Sequence, residues 1–201
     1  RGVLFSVPLP GTFNLYNCLA ALALGEALGL TTDDMKRALE HMPVIPGRAE
    51  SIKSGQPFAV VVDYAHTPDS LRALFETYKN KNIVCVFGAT GGGRDAWKRV
   101  EMGKAVDEYC KSAIITDDSP YDEDPQKIAE AVSVGFTKHT PLIILDRRAA
   151  IAAALKSAKD SDAVLICGMG TDPYIMGARG SKVPWSDARV AKEELAKLGY
   201  N

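Results

Sequence analysis

The spacing of apolar residues changes near residue 48. Before it the pattern is helical: Leu15, Leu19, Leu22, Ala23 and Ala27 recur at intervals of three and four between Asn14 and Leu28, and Gly29 stands where a helix ends. Thr12 is placed to cap this helix. A second helix is predicted from Thr32, with Asp33 and Asp34 in its first turn, where they complement the dipole, and it ends before Pro43. Ahead of both, Val3 to Val7 reads as a short strand stopped by Pro8, Pro10 and Gly11. Beyond residue 48, β-branched runs alternate with amphipathic helices. Strands are predicted near 58–63, 82–87, 112–116, 142–145 and 163–167, and a last helix over Asp187–Leu198. Ala59 to Val62 and Ala163 to Ile166 are apolar without alternation, as strands covered on both faces are. The pattern predicts an α/β domain over 48–201, a Rossmann-like and mostly parallel sheet with helices on both faces. A short helical part and linker over 1–47 precede it, the prolines and glycine of Pro43 to Gly47 marking the break.

Composition narrows the partners. The 24 Lys and Arg are interspersed with 25 Asp and Glu, so no concentrated basic face is available for nucleic acid or an anionic membrane surface. No apolar run approaches the roughly 20 residues that cross a bilayer. Cys18, Cys85, Cys110 and Cys167 stand far apart in apolar segments and lack the CxxC spacing of zinc or redox pairs, so buried thiols and a reducing, cytoplasmic setting are expected. The chain begins at Arg1 rather than Met and reads as a piece of a longer protein.

Candidate chemistry lies just after the apolar runs, because ligands of such sheets bind beyond the carboxyl ends of the strands. Four polar or glycine-rich segments follow predicted strands: Asp63 to Pro68, Gly88 to Arg94, Asp117 to Pro120, and Gly168 to Asp172. Turn chemistry accounts for part of this, with Thr67 placed to cap a helix that opens on Pro68. Gly88 to Arg94 turns backbone N–H groups toward an anion, and Arg94 can pair with a carboxylate or phosphate. It is not a Walker A loop, since Arg94 and Asp95 follow the last glycine where Lys and Ser or Thr are required. A dinucleotide turn is an alternative. Arg94 then stands at the third glycine, with Asp107 as the candidate ribose acid, and an NAD(P)-binding oxidoreductase is the function implied. Asp117 and Asp118 either bind a cationic amine or face water, and their residue types alone favour water.

In their order, these segments resemble the Mur ligases of the MurE type, the UDP-N-acetylmuramoyl-tripeptide synthetases. The resemblance runs from about Pro10 to the end. It is carried by Phe13-Asn14-Leu-Tyr-Asn17, Gly47-Arg48-Ala-Glu50, Asp63-Tyr-Ala-His66-Thr-Pro68, Arg94-Asp95 with Lys98-Arg99, Asp117 to Pro125, Asp146-Arg147 and Gly168 to Asp172. It implies a carboxy-terminal, amino-acid-binding domain preceded by the end of a central ATPase domain. The implied enzyme uses ATP and Mg2+ to activate the carboxylate of a UDP-N-acetylmuramoyl-dipeptide, which the amine of a free amino acid then attacks, a step of peptidoglycan synthesis in cell wall biogenesis. The resemblance assigns Asn17, Arg48, Asp63 and His66 to ATP. It assigns Arg94, Asp118, Ser119, Tyr121, Gly168 and Asp172 to the amino acid.

No phosphate loop or metal ligands of the family occur in this sequence, so the chain alone is expected to be inactive as a ligase, and ATP and Mg2+ are expected to be held mainly by the family's central domain. Two departures bear on the substrate. Asp118-Ser119-Pro120-Tyr121 replaces the Asp-Asn-Pro-Arg of enzymes that add meso-diaminopimelate, and Tyr121 cannot form the bidentate pair of that arginine. A diamino acid without the second carboxylate, such as lysine or ornithine, is therefore expected. Gly168-Met-Gly-Thr-Asp172 also departs from the family's Gly-Lys-Gly-His-Glu. Folylpolyglutamate and cyanophycin synthetases share this domain and are the other alternative, while Glu123-Asp124-Pro125 favours the MurE branch.

Overall fold

The computed structural model describes all residues except Arg1 and Arg94, and divides into two compact units, one reaching Ile45 and the other Pro46–Asn201. Arg94, expected in the amino-acid site, lies outside the described residues.

The first unit contains α1 (Thr12–Ala27) and α2 (Thr32–Glu40). Gly11 and not Thr12 is the N-cap of α1; its φ of 91° suits glycine, and Thr12 has joined the helix. The far end is a Schellman turn: Gly29 donates to the Glu26 carbonyl and Leu30 to that of Gly25, each at 3.0 Å, with Gly29 at φ 81°. The Thr31 hydroxyl caps α2 by accepting from the Asp34 N–H. The strand expected over 3–7 does not form. Its β-branched and aromatic residues have the propensity, but a strand needs a neighbour to complete its ladder, and Val3 and Leu4 stand exposed instead.

The second unit contains a six-stranded sheet in the order β1-β2-β6-β3-β4-β5. Its strands are β1 (Glu50–Ser51), β2 (Ala59–Asp63), β3 (Ile83–Phe87), β4 (Ser112–Ile115), β5 (Leu142–Ile143) and β6 (Ala163–Cys167). Every pairing is parallel except that of β1 with β2. Two apolar layers explain the unalternating strands. Val61, Cys85, Phe87, Leu165 and Cys167 point into the core shared with α3 (Pro68–Thr77), α4 (Lys98–Tyr109) and α5 (Pro125–Ser133). Their neighbours Val60, Val62, Val84, Val86, Val164 and Ile166 point into the core shared with α6 (Arg147–Ser157) and α7 (Asp187–Lys197). The two-residue side-chain period thus supplies both faces. All four cysteines are free and buried.

Within the first of these layers, α4 and α5 approach through two glycines. A Cβ on Gly103 would sit 2.2 Å from the Val132 carbonyl oxygen, and one on Gly135 2.2 Å from that of Val100. Backbone on both sides leaves no flexible side chain to yield. Gly103→Ala is therefore expected to destabilise the unit by about 1–3 kcal/mol, read as a lower midpoint in urea without a change of slope.

β6 returns between β2 and β3, so the carboxyl ends of four parallel strands lie side by side. A second, two-stranded sheet of β7 (Tyr174–Met176) and β8 (Lys182–Pro184) follows β6 as a hairpin. The sequence pattern does not announce it.

Candidate functional site

Each strand end is fixed by its own polar residues. At β2, Asp63 is buried and both its oxygens are engaged: one accepts from the Ala49 N–H at 2.6 Å, the other from the Ala65 N–H at 2.8 Å. Burial raises the Asp63 pKa, and these two donors oppose the rise. Asp63 thereby pins the turn Gly47 to Glu50, in which Ala49 takes φ 47° and the Gly47 N–H donates to Glu50 at 2.9 Å. Gly47 itself approaches Gly170 and Thr171 so closely that a Cβ would lie 2.4 Å from the Gly170 carbonyl carbon. The exposed Arg48 guanidinium lies 4.4 Å from the Tyr64 ring centre, a cation–π contact. His66 is steered by its Nδ1 contact with the Tyr64 carbonyl at 2.8 Å, and Thr67 with Ser70 forms a reciprocal capping box on α3.

At β3, the glycine loop is held from within. Gly91 donates to the Ser119 carbonyl at 2.9 Å and Gly93 to Glu123 at 2.7 Å, while Arg99 pairs with Glu123 at 2.8 Å. The Gly93 N–H and then Arg99 hold the Glu123 carboxyl below its ordinary value. These two amides are therefore not presented to an anion as the sequence suggested. Asp107 is likewise committed. It accepts from the N–H groups of Thr137, Lys138 and His139 and meets the His139 ring, on a helix face distant in sequence from the loop. A buried acid spent on three backbone donors is not available to a ribose, which removes the dinucleotide reading's acidic partner.

At β4, Asp118 is buried and does not face water, contrary to the reading from residue type. Two glycines make the room. A Cβ on Gly168 would lie 2.5 Å from an Asp118 carboxylate oxygen, and one on Gly88 would lie 3.0 Å from the Asp118 Cβ. The Thr90 hydroxyl donates to Asp118 at 3.3 Å. Burial pushes the Asp118 carboxyl upward, Arg147 opposes this, and Asp187 adds to it. Asp117 beside it is pushed up to about 6, first by burial and then by the Asp118 charge, with Arg147 again opposing.

Because the folded-state value of Asp117 exceeds the ordinary 3.8, the native chain holds the proton more tightly than the unfolded one. Stability from this group falls as pH rises from about 4 to about 6 and is level above that. A carboxyl-detected NMR titration is expected to place its midpoint near 6 and to move it down in Asp118→Asn.

Arg147 secures the ends of β4 and β6 together. From a fully buried position it pairs with Asp187 at 2.8 and 2.7 Å and donates to the carbonyls of Asp117 at 3.0 Å and Cys167 at 2.9 Å. The sequence singled out Arg147 but not this task. Its partner lies in a different helix with no pattern linking the two.

These ends and the β7–β8 hairpin enclose a cavity of about 260 Å³. Of the expected site residues, His66, Asp118, Ser119, Tyr121, Gly168 and Asp172 line it together. Lys98, Thr90, Tyr64, Pro173, Tyr174 and Met176 complete the described wall. The hairpin is fastened over the β4 tip by backbone: Tyr121 donates to the Met176 carbonyl at 3.1 Å, and Met176 donates to the Ser119 hydroxyl at 3.2 Å. Tyr121 holds φ 53°, packed against Gly92. Arg48 and Asp63 do not line the cavity. Asn17 belongs to the first unit, exposed on α1, where its amide donates to Asn14 at 3.2 Å. Carboxylate, hydroxyl, imidazole and ammonium groups around one cavity suit a small zwitterion better than an apolar ligand.

Residues 47–170, more than half of the chain, match the family described as Mur ligase, glutamate ligase domain. The chain belongs to the Mur ligase family. Among similar proteins, a ligase of Aquifex aeolicus (strain VF5) named UDP-N-acetylmuramoyl-L-alanyl-D-glutamate--2,6-diaminopimelate ligase is 43% identical over 199 residues, covering 97% of this chain and 40% of that protein. The protein of the same name from Solibacter usitatus (strain Ellin6076) is 39% identical, covering 96% and 40%. A solved structure of a ligase of that name superposes with a TM-score of 0.73 at 31% identity, covering 98% of this chain and 41% of its own. The chain thus spans about two fifths of the length of these relatives. The mostly parallel sheet covered by helices on both faces is the Mur ligase carboxy-terminal fold.

The ATP and Mg2+ that the resemblance implies find only part of their chemistry in these residues. Among the described residues no three His, Cys, Asp or Glu side chains stand together as a metal site. The exposed Arg48 suits a phosphate and His66 a polar nucleoside edge, whereas Asp63 has no oxygen left unengaged.

Proposed function

We infer that residues 46–201 form the amino-acid-binding domain of an ATP-dependent amide ligase, which extends a UDP-N-acetylmuramoyl-dipeptide by a diamino acid carrying one carboxylate, lysine or ornithine. The observation that carries this reading is the cavity beyond the sheet, where Asp118 and Asp172 face a common space walled by Tyr121. Two carboxylates complement two amino groups, and the phenol supplies no charge for a second carboxylate. Arg94 grips the single carboxylate of the substrate. Ser119 and Gly168 act through geometry, one anchoring the hairpin and the other admitting the Asp118 carboxylate beside it.

In this reading the unit before Pro46 belongs to the central ATPase domain, with Asn17 on the adenine side, and Arg48 and His66 approach the nucleotide. When bound, ATP supplies the phosphoryl group that activates the dipeptide carboxylate. This chain holds the incoming amine at a fixed distance and direction, and such positioning is a large part of what an amide ligase contributes to rate. The unit would act in the cytoplasm, where the nucleotide-linked substrate is made.

The names of the relatives favour a second reading, in which the added amino acid is 2,6-diaminopimelate. The full-length enzyme decides between them. Incubated with ATP, magnesium, UDP-N-acetylmuramoyl-L-alanyl-D-glutamate and each amino acid in turn, it is expected to release ADP and form product with lysine or ornithine. Product with meso-diaminopimelate alone would overturn the choice of substrate, and ADP release with none of them would overturn the ligase reading.

A further inference from the structure

Lys98 is the one lysine or arginine among the described residues that line the cavity, and its position is costly in three independent ways. It is 9% exposed. Its ammonium has no ion-pair or hydrogen-bond partner among the described residues, although its neighbour Arg99 is paired with Glu123. It opens α4, a twelve-residue helix, at the end where the macrodipole repels a cation. The one acidic residue in that first turn, Glu101, is bonded to Lys104 instead. Lysines whose side chains are this buried ordinarily appear with a partner, and an ammonium brought to a cavity without one is complementary to an anion that arrives from outside the chain.

The cavity identifies the anion's class. Its described lining offers Asp118 and Asp172 to amino groups, and a ligand bearing such groups beside Lys98 in a space of about 260 Å³ is a small zwitterion and not a free polyphosphate. We propose that Lys98 binds the α-carboxylate of the incoming amino acid, so that this cation at the helix start fixes which end of the diamino acid faces Asp118 and Asp172. The proposal rests on the ligase reading above. With the carboxylate in place, the N-terminus of α4 changes from an unfavourable neighbour of Lys98 to a favourable neighbour of the pair. Orientation follows: an α,ω-diamine without the carboxylate meets the acids equally well in either direction.

The test compares lysine with cadaverine, which has the same amino groups and lacks the carboxylate, by calorimetric titration into the chain and into its Lys98→Met and Lys98→Arg variants. The unsubstituted chain is expected to bind lysine about 10- to 100-fold tighter than cadaverine, the range that a charged hydrogen bond supplies. Lys98→Met is expected to lose a measurable part of that preference, about tenfold, while keeping its cadaverine affinity, which also shows that its cavity is intact; Lys98→Arg is expected to retain the preference. Undiminished preference for lysine in Lys98→Met overturns the role of Lys98 and leaves the ligase reading standing. Absence of binding by lysine and cadaverine alike to the unsubstituted chain overturns both.

Discussion

Replacing Arg147 with alanine is expected to destabilise the second unit by about 3–5 kcal/mol, the largest loss from any single substitution considered for its fold. The guanidinium and its partner Asp187 are both fully buried, and four hydrogen bonds tie the guanidinium to Asp187 and to the strand-end carbonyls of Asp117 and Cys167. Removing it leaves the buried Asp187 charge, among the described residues, with only the Trp185 indole N–H, at 2.8 Å, and leaves two carbonyls without their donor. Thermal unfolding is expected to fall by roughly 6–20 °C, using about 2–4 °C per kcal/mol for a domain of this size. The double substitution Arg147→Met with Asp187→Leu is expected to recover much of that loss, because it removes both charges at once. If the single and double variants lose the same stability, the ion pair is not what makes the position matter. Arg147 also shapes the site: it opposes the upward pressure of burial on both Asp117 and Asp118, so its loss leaves Asp118 in the cavity wall, and Asp117 beside it, less ready to carry charge.

The second large effect is expected at Asp118. Asp118→Asn keeps the side chain's size between Gly88 and Gly168 but removes the charge that faces an amino group. Lysine binding is expected to weaken by about 30-fold to several thousandfold, the consequence of losing about 2–5 kcal/mol from a desolvated charge pair. The fold is expected to persist, since the substitution relieves the repulsion that Asp118 exerts on Asp117. Calorimetry with a parallel melting curve separates the two effects. Unchanged affinity would place the amine elsewhere in the cavity.

What the sequence made legible follows from the range over which each signal acts. The strands from Ala59, Ile83 and Ala163 are local runs of apolar residues, and their lack of alternation already implied the two buried faces that Val60 and Val61 enter. Thr67 and Pro68 announced the start of α3 by the chemistry of the first turn. Val3 to Val7 had the same kind of local signal and failed, because propensity does not supply the neighbour that a ladder requires. The β7–β8 hairpin left the opposite trace. Its three-residue strands are exposed or half-buried, one ends at Pro184, and neither alternates, yet the hairpin forms a wall of the cavity through bonds to Ser119 and Tyr121 more than fifty residues earlier.

The same distinction holds among the candidate site residues. The strand-end rule brought His66, Asp118, Ser119 and Asp172 to one place without any knowledge of their contacts, while Tyr121 came in only with the family resemblance. It did not distinguish Asp63, whose oxygens are consumed by Ala49 and Ala65, from Asp118, which two distant glycines admit into the cavity wall. Residue type alone sent Asp118 to water because its burial depends on the missing Cβ atoms of Gly88 and Gly168. Asp107 was attractive by its spacing from the glycine loop, but its actual partners are the backbone donors of Thr137 to His139. Lys98 stood in view as part of a motif. Only its burial without a partner marks it as a group that awaits a ligand.

The most direct test of the central claim is a calorimetric titration of the chain with lysine, ornithine, meso-diaminopimelate, ATP and NAD(P), repeated with Arg94→Ala. Binding of lysine or ornithine in preference to meso-diaminopimelate, weakened by Arg94→Ala, is the predicted result. Binding of NAD(P) with no response to any of the amino acids would contradict it.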